Sequence, residues 1–134
     1  MTGLGVVPRH RRSEPTAGST VVRLRGDLGI AAAPALRERL TSALRPGTRL
    51  LVLDLSRVRS CDPAGLAVLI GTQRRARRHG IVVRLVAPSL PVTEQLRATG
   101  LESYLTVCPD LPTALVRGRC APAGTAAPPQ VLAG

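Results

Sequence analysis

The sequence predicts an α/β domain, a small mixed β-sheet of four to five strands with about four helices packed mainly on one side. Two observations support this fold class. Short runs rich in Val, Ile and Leu alternate with stretches that have apolar residues at helical spacing. Gly and Pro separate most of these segments. Such alternation is typical of a sheet with crossover connections, and 134 residues suit one domain.

The first three elements are predicted as strand, helix and strand. Residues 20–25 are rich in β-branched side chains, which favours a strand. Residues 31–44 place Leu and Ala at helical spacing, with a Pro in the first turn and a Pro-Gly pair after the end. Residues 49–55 are a mostly apolar run, with Leu50–Leu53 unbroken, typical of a strand buried on both faces. Residues 56–61 predict a short loop.

A central helix is predicted over residues 63–79. Asp62 is a favoured N-cap, because its carboxylate accepts hydrogen bonds from the free N–H groups of the first turn. Pro63 is favoured at the first helical position, where its missing N–H costs nothing. Four arginines between residues 74 and 78 occupy the last turns, where cations complement the helix dipole. Gly80 is the expected stop.

The predicted domain spans residues 20–117 and lies between two irregular segments. Residues 1–19 are basic and contain a candidate edge strand at Leu4–Val7. Residues 118–134 are rich in Ala, Pro and Gly, which predicts a disordered tail. The shorter elements after the central helix are strands at 81–86 and 105–107 and helices at 92–99 and 110–116.

Composition limits the classes of partner. The formal charge is +11, every basic residue is Arg, and Tyr104 is the only aromatic residue. A chain without Trp and Phe lacks the stacking platforms that single-stranded nucleic acids require. The best candidate anion-binding face is the cluster Arg74, Arg75, Arg77 and Arg78, but a strand follows Gly80, so no DNA-reading module contains it. We expect a solvated basic surface, and nucleic acid is a weak candidate partner.

The sequence carries no recognisable catalytic, metal or cofactor motif. GxxxxGK[ST], GxSxG and a strand-linked GxGxxG are absent, and the cysteine spacing fits no zinc pattern. Cys61 is interpreted as a small loop residue and not as a nucleophile, because no base accompanies it. Asp54 and Asp62 are interpreted as a strand-end residue and an N-cap rather than an acid/base pair. We therefore expect a protein that is not an enzyme and has no cofactor.

The lack of a signal peptide and of a membrane span in the sequence predicts the location of the protein. The N-terminus lacks the apolar region of a signal peptide, and no apolar run approaches the ~20 residues of a membrane span. These features predict a cytoplasmic protein without membrane insertion. Its three cysteines are expected to be reduced.

Five segments together resemble the STAS domain, and most closely the bacterial anti-sigma-factor antagonists. In order they are VVRLRGDLG, LLVLDLSRV, CDPAGLAVLIG, RRARRHG and VRLVAPSLPVTEQLRATGLESYLTV. The resemblance covers about residues 20–117. It implies a small mixed sheet with helices mainly on one side and a binding module rather than an enzyme.

The resemblance also implies a partner. In this family the antagonist binds an anti-sigma factor that is also a Ser/Thr kinase, and so releases a sigma factor. The kinase phosphorylates a Ser or Thr directly after an Asp, in the pattern Asp-Ser-Ser-Gly-Leu, and this breaks the complex. A phosphate there adds about two negative charges at an interface.

This sequence departs from the family pattern at two places. Pro63 stands at the phosphoacceptor position and Ala64 at the next, so neither can accept a phosphate. Gly29 stands where many antagonists carry Asp. The resemblance places the partner-binding surface at Asp27, Gly29, Ser60, Cys61, Asp62, Pro63, Ala64, Gly65 and Leu66. The expected protein is an antagonist-like regulator that is not switched at the usual site.

Two other functions stay open at this point. Ala64-Gly65-Leu66-Ala67 resembles a motif in STAS subunits of lipid-transport ABC systems, for which an ATPase subunit would be the partner. An Arg-rich nucleic-acid-binding protein is the other alternative, and steep salt dependence of DNA binding would identify it. The sequence does not predict the oligomeric state.

Overall fold

A computed structural model describes residues 18–116 and the short strand at 121–122. The candidate edge strand at Leu4–Val7 and most of the segments 1–19 and 118–134 lie outside the described residues. Within the predicted tail, the described residues are Ala121–Pro122, and they form a strand.

Strands and helices alternate along the described chain. The strands are β1 (Ser19–Leu28), β2 (Leu50–Cys61), β3 (Val82–Val86), β4 (Thr106–Cys108) and β5 (Ala121–Pro122). The helices are α1 (Ala33–Ala43), α2 (Pro63–Arg78), α3 (Leu90–Thr99) and α4 (Leu111–Ala114), and a 3₁₀ turn covers Glu102–Tyr104.

The strands form one mixed sheet in the order β1-β2-β3-β4-β5. The first four strands run parallel, and β5 runs antiparallel to β4. Helices α1, α2 and α3 connect successive parallel strands, as a crossover topology requires. The predicted fold class, a mixed α/β sheet with about four helices, is confirmed.

The sheet buries both faces, but unequally. The larger apolar cluster joins one face to α1, α2 and α3, with Leu51, Leu53 and Leu85 from the strands. On the other face Val52 and Val86 pack beneath α4 in a smaller cluster. Since neighbouring residues of a strand point to opposite faces, this explains why the four consecutive residues 50–53 are all apolar.

Strand β2 is longer than the sequence predicts. Residues 56–61, expected to be a loop, continue the strand and pair with β1 as far as Leu28 and Cys61. The register shifts twice along this stretch, and each shift adds one residue to β2. Such bulges break the two-residue alternation, so the period that would reveal a strand is lost. Pairing with β1 therefore decides the conformation of this stretch.

The expectation of reduced cysteines is wrong for Cys108, which is disulfide-bonded. Cys61 is a free, buried thiol. Cys108 lies in β4, and β5 returns along that strand in the antiparallel direction. The spacing of the cysteines in the sequence does not reveal this disulfide bond.

Candidate partner-binding site

The candidate site lies where β1 and β2 end side by side. Leu28, the last residue of β1, pairs with Cys61, the last residue of β2. The loop at residues 29–32 leaves β1 here, and the turn at residues 62–65 begins α2. We call this loop and this turn, with the adjoining ends of the two strands, the turn edge. Two chain segments that are distant in sequence are thus brought into contact.

Asp62 holds the turn edge together. Its Oδ1 accepts hydrogen bonds from the backbone N–H groups of Ala64 at 2.8 Å and Gly65 at 3.1 Å. Its Oδ2 accepts one from the backbone N–H of Ile30 at 3.3 Å, and its own N–H donates to the carbonyl of Leu28 at 3.1 Å. The predicted N-cap is therefore present, and it also fixes the loop after β1.

Two glycines permit this close approach. A Cβ on Gly65 would overlap the carbonyl oxygen of Leu28, so the first turn of α2 can press against β1 only without a side chain. A Cβ on Gly29 would lie 3.0 Å from Oδ2 of Asp62. The departure at Gly29 thus leaves room for the Asp62 carboxylate.

A polar cluster borders the turn on the strand side. The shifted register places Asp27 opposite Ser60, and the Ser60 hydroxyl donates to Oδ1 of Asp27 at 2.8 Å. Arg59 forms an ion pair with Asp27 at 3.6 Å, with both side chains largely exposed. An exposed pair of this kind contributes little stability, about 0 to 1 kcal/mol.

The nine residues predicted for the partner surface divide into two groups. Those that reach the surface, fully or in part, are Asp27, Gly29, Ser60, Asp62, Pro63 and Ala64. Those that are buried are Cys61, Gly65 and Leu66. Pro63 is exposed at the first position of α2. The three buried residues therefore pack beneath the turn and have no side chain that a partner could contact.

The structure also locates the residues considered for catalysis. Burial raises the pKa of the Cys61 thiol to about 11, and the neighbouring Asp62 carboxylate acts in the same direction. A thiol of this kind is protonated at neutral pH and is a poor nucleophile. Asp54 instead pairs with Arg23 at 3.6 Å and accepts from Ser56. It lies eight residues before Asp62 along an extended strand, roughly 25 Å of chain, so the two carboxylates do not form a pair.

Sequence reasoning missed two exposed apolar residues at this end of the molecule. Ile30 follows β1 and is 76% exposed, and its backbone binds Asp62. Leu90 begins α3 and is 66% exposed. Helix α3 flanks the turn, because the Gln95 side chain donates to the carbonyl of Cys61 at 3.2 Å. The sequence feature that could have identified Ile30 and Leu90 is a large apolar residue within a predicted loop.

Two other kinds of site, a metal centre and a membrane span, are not found in the described part of the chain. No three His, Cys, Asp or Glu side chains there are grouped so that they could hold a metal ion. None of the helices within residues 18–116 combines the length and apolar character needed to cross a bilayer.

Comparison with known proteins supports the resemblance. The family model described as "Mlab, STAS domain" matches residues 13–109. No curated protein sequence gives a significant match. An anti-sigma factor antagonist from Mycobacterium paratuberculosis is similar at 28% identity and a TM-score of 0.65, over 73% of this chain and 83% of that one.

Two further solved structures share the fold. The STAS domain of a SulP transporter from Vibrio cholerae is similar at 25% identity and a TM-score of 0.61, over 79% of this chain and 84% of that one. The anti-sigma factor antagonist SpoIIAA in its unphosphorylated form is similar at 21% identity and a TM-score of 0.59, over 71% and 84%. Since the family model spans well over half of the sequence, the chain belongs to the STAS domain family.

Proposed function

We propose that this protein is a non-catalytic, cytoplasmic regulator of the anti-sigma-factor-antagonist type. It binds an anti-sigma factor of the Ser/Thr kinase type and thereby releases a sigma factor. Family membership and the likeness to the antagonist from Mycobacterium paratuberculosis support this function. STAS domains also occur in transporters, as the Vibrio cholerae structure shows, so the proposal rests mainly on the turn edge.

The observation that carries the proposal is the exposed, rigid surface around Asp62. Ile30 and Pro63 are both exposed, and both are attached to backbone that Asp62 fixes by hydrogen bonds. Large apolar side chains on rigid backbone suit the centre of a protein interface, because little conformational entropy is lost on binding. The Asp27–Ser60 pair beside them supplies a polar rim.

Binding at this surface is constitutive in our proposal. Pro63 occupies the position at which the family pattern has Ser or Thr, and Ala64 follows it. The one hydroxyl between residues 60 and 66 belongs to Ser60, and it is engaged with Asp27 within the paired end of β2. A kinase partner therefore has no acceptor at the start of α2, and phosphorylation does not dissociate the complex.

The decisive experiment compares the wild type with Pro63→Ser and Pro63→Ala in the presence of a cognate kinase and ATP. We expect phosphate on Pro63→Ser only, located by mass spectrometry, together with loss of binding. Pro63→Ala lacks a hydroxyl and controls for the loss of proline. Phosphate on residues 60–66 of the wild type would contradict constitutive binding. Recovery of an ATPase subunit instead of the kinase from cells would contradict the proposed partner and support the lipid-transport alternative.

The surface itself is tested with two apolar-to-polar variants. Ile30→Ser is expected to weaken binding of the anti-sigma factor about tenfold or more in calorimetric titration. Val82→Ser changes an apolar residue that is 51% exposed at the opposite end of the molecule, so it serves as the matched control and should bind normally. Equal losses in both variants would show that the turn edge is not the interface.

A further inference from the structure

The end of the molecule opposite the turn edge carries a second cluster of exposed side chains. We call it the basic edge, because β2 and β3 begin there and α1 and α2 end there. Its apolar patch consists of Val82, Tyr104 and Val116, which are 51%, 54% and 46% exposed. Its basic rim consists of Arg45, Arg49, Arg77 and Arg78, all of which are exposed.

The three apolar residues lie around Arg84. Val82 and Arg84 are two positions apart on β3, so their side chains point to the same face of the sheet. Arg84 Nη1 donates to the carbonyl of Val116 at 2.9 Å, which places the end of the α4 segment on that face. Arg84 on β3 pairs with Thr106 on β4. Val82 and Tyr104 each lie two residues before these partners, so they stand at the same end of the two strands.

The rim arginines lie at the same end of the sheet as this patch. The Val82 N–H donates to the carbonyl of Arg49 at 3.0 Å, so the two backbones are adjacent. The Arg49 side chain lies on the face that α1 and α2 cover, next to Gly18, whereas Val82 points to the face that α4 covers. Arg77 and Arg78 end α2, and Ile81, which follows the turn, donates its N–H to Ala76 at 2.9 Å and folds the chain back into β3.

Helix α1 brings the remaining rim arginine to the same end. Arg75 Nη1 donates to Oγ1 of Thr41 at 3.4 Å, so α1 and α2 run side by side. Arg45 follows the last residue of α1, Ala43, by two residues and therefore lies at the end of that helix. The acidic residue Glu102 is close in sequence to Tyr104, but it pairs with Arg97 at 3.9 Å. The rim therefore keeps a strong positive charge.

We infer that the basic edge docks the protein on the surface of an anionic phospholipid bilayer. The rim arginines contact headgroup phosphates, and Val82, Tyr104 and Val116 enter the boundary between headgroups and acyl chains. Basic residues at the same end of a domain as an apolar patch are a combination that holds peripheral proteins on such a surface. Tyrosine suits this position, because its ring is apolar and its hydroxyl remains in water.

The mixture of apolar and basic side chains favours a bilayer over the other polyanions. A nucleic-acid backbone attracts arginines but offers no apolar phase for Val82 and Val116. An acidic protein requires shape complementarity around a buried anchor, whereas a fluid bilayer accepts a shallow apolar patch. The net charge of +11 also disfavours a second copy of this chain as the occupant.

The test is co-sedimentation of the full chain with vesicles of phosphatidylglycerol and phosphatidylcholine, with phosphatidylcholine alone as the comparison. We expect binding to the anionic vesicles at an ionic strength of about 0.01 M, and weaker binding at about 0.15 M. Arg77→Gln/Arg78→Gln should reduce partitioning about thirtyfold, since each arginine near an anionic surface contributes about a factor of five. Tyr104→Ser should reduce it several-fold at unchanged charge.

The matched control is Arg25→Gln/Arg57→Gln. These two exposed arginines face each other across β1 and β2 away from the basic edge, and the double variant loses the same two charges. It should bind vesicles nearly as well as the wild type. Circular dichroism and thermal unfolding verify that each variant is folded.

Three results would overturn the inference. The first is absence of binding to anionic vesicles at low salt. The second is an equal loss in both double-arginine variants, which would indicate attraction by net charge alone. The third is tighter binding to random-sequence duplex DNA than to vesicles, with no effect of Tyr104→Ser, which would assign the edge to nucleic acid.

Discussion

The turn edge and the basic edge are built in different ways, although the same strands and helices join them. At the turn edge, one carboxylate accepts three backbone hydrogen bonds, and a glycine lies against a carbonyl. At the basic edge the rim is formed by long, exposed side chains. The first arrangement fixes backbone positions, whereas the second sets an electrostatic potential. Substitution of the residues that fix the backbone at the turn edge should therefore affect folding, whereas substitution of the rim arginines should mainly affect association.

Gly65→Ala should have the largest effect. The new methyl group would overlap the carbonyl oxygen of Leu28 and force β1 and α2 apart. We expect the free energy of unfolding in urea to fall by about 3 kcal/mol or more. Gly71→Ala in the same helix is the matched control, since the nearest atom to its Cβ is a flexible arginine nitrogen at 4.0 Å, and it should gain up to about 1 kcal/mol. Equal stability of the two variants would show that the contact is not rigid.

The rate at which the buried Cys61 thiol reacts with a labelling reagent tests whether the turn edge opens to solvent. Its thiol pKa of about 11 lies above the ordinary value of 9.0, so thiol labelling at pH 8 should be about a hundredfold slower than in the denatured chain. Because the folded pKa is raised, stability is retained below pH 9 and falls as the pH rises from 9 towards about 11. Cys61→Ser identifies the labelled site and should lose this alkaline dependence. Fast labelling of the native protein would contradict a closed turn.

Asp62→Ala should have a smaller effect than Gly65→Ala. It removes the N-cap of α2 and the contact with the Ile30 N–H, and we expect the free energy of unfolding to fall by about 1 to 2 kcal/mol. Asp62→Asn keeps an acceptor oxygen and should recover much of this loss. Equal losses in both variants would indicate that the charge, and not the hydrogen bonds, stabilises the turn.

The smallest change in stability is expected at the basic edge. Arg77→Gln/Arg78→Gln leaves α2 its helix-forming residues and removes only favourable interactions with the helix dipole. The free energy of unfolding should fall by less than about 1 kcal/mol in thermal or urea denaturation. A larger loss would show that these arginines are structural and would remove the contrast between the two edges.

The start of α2 at the turn edge could be predicted from residues 62–65. Asp62 and Pro63 define this start by local chemistry, and the N-cap forms as expected. Gly80 marks the other end of the helix in the same way. The contribution of Ile30 could not be predicted in this way, because the loop after β1 meets Asp62 only when β1 and β2 pair. The same holds for Asp27 and Ser60, whose contact depends on two register shifts.

The sequence by itself determined the order of the strands and α-helices as far as α4, the start and end of α2, and the absence of a hydroxyl group at Pro63 and Ala64, because these depend on residue type and near neighbours. Tertiary structure decided that β2 continues through residues 56–61, that Cys108 is disulfide-bonded, and that apolar and basic residues gather at the basic edge. Each of these depends on pairing between strands or on packing between segments that are distant in sequence. The secondary-structure propensity of a single segment does not predict such contacts.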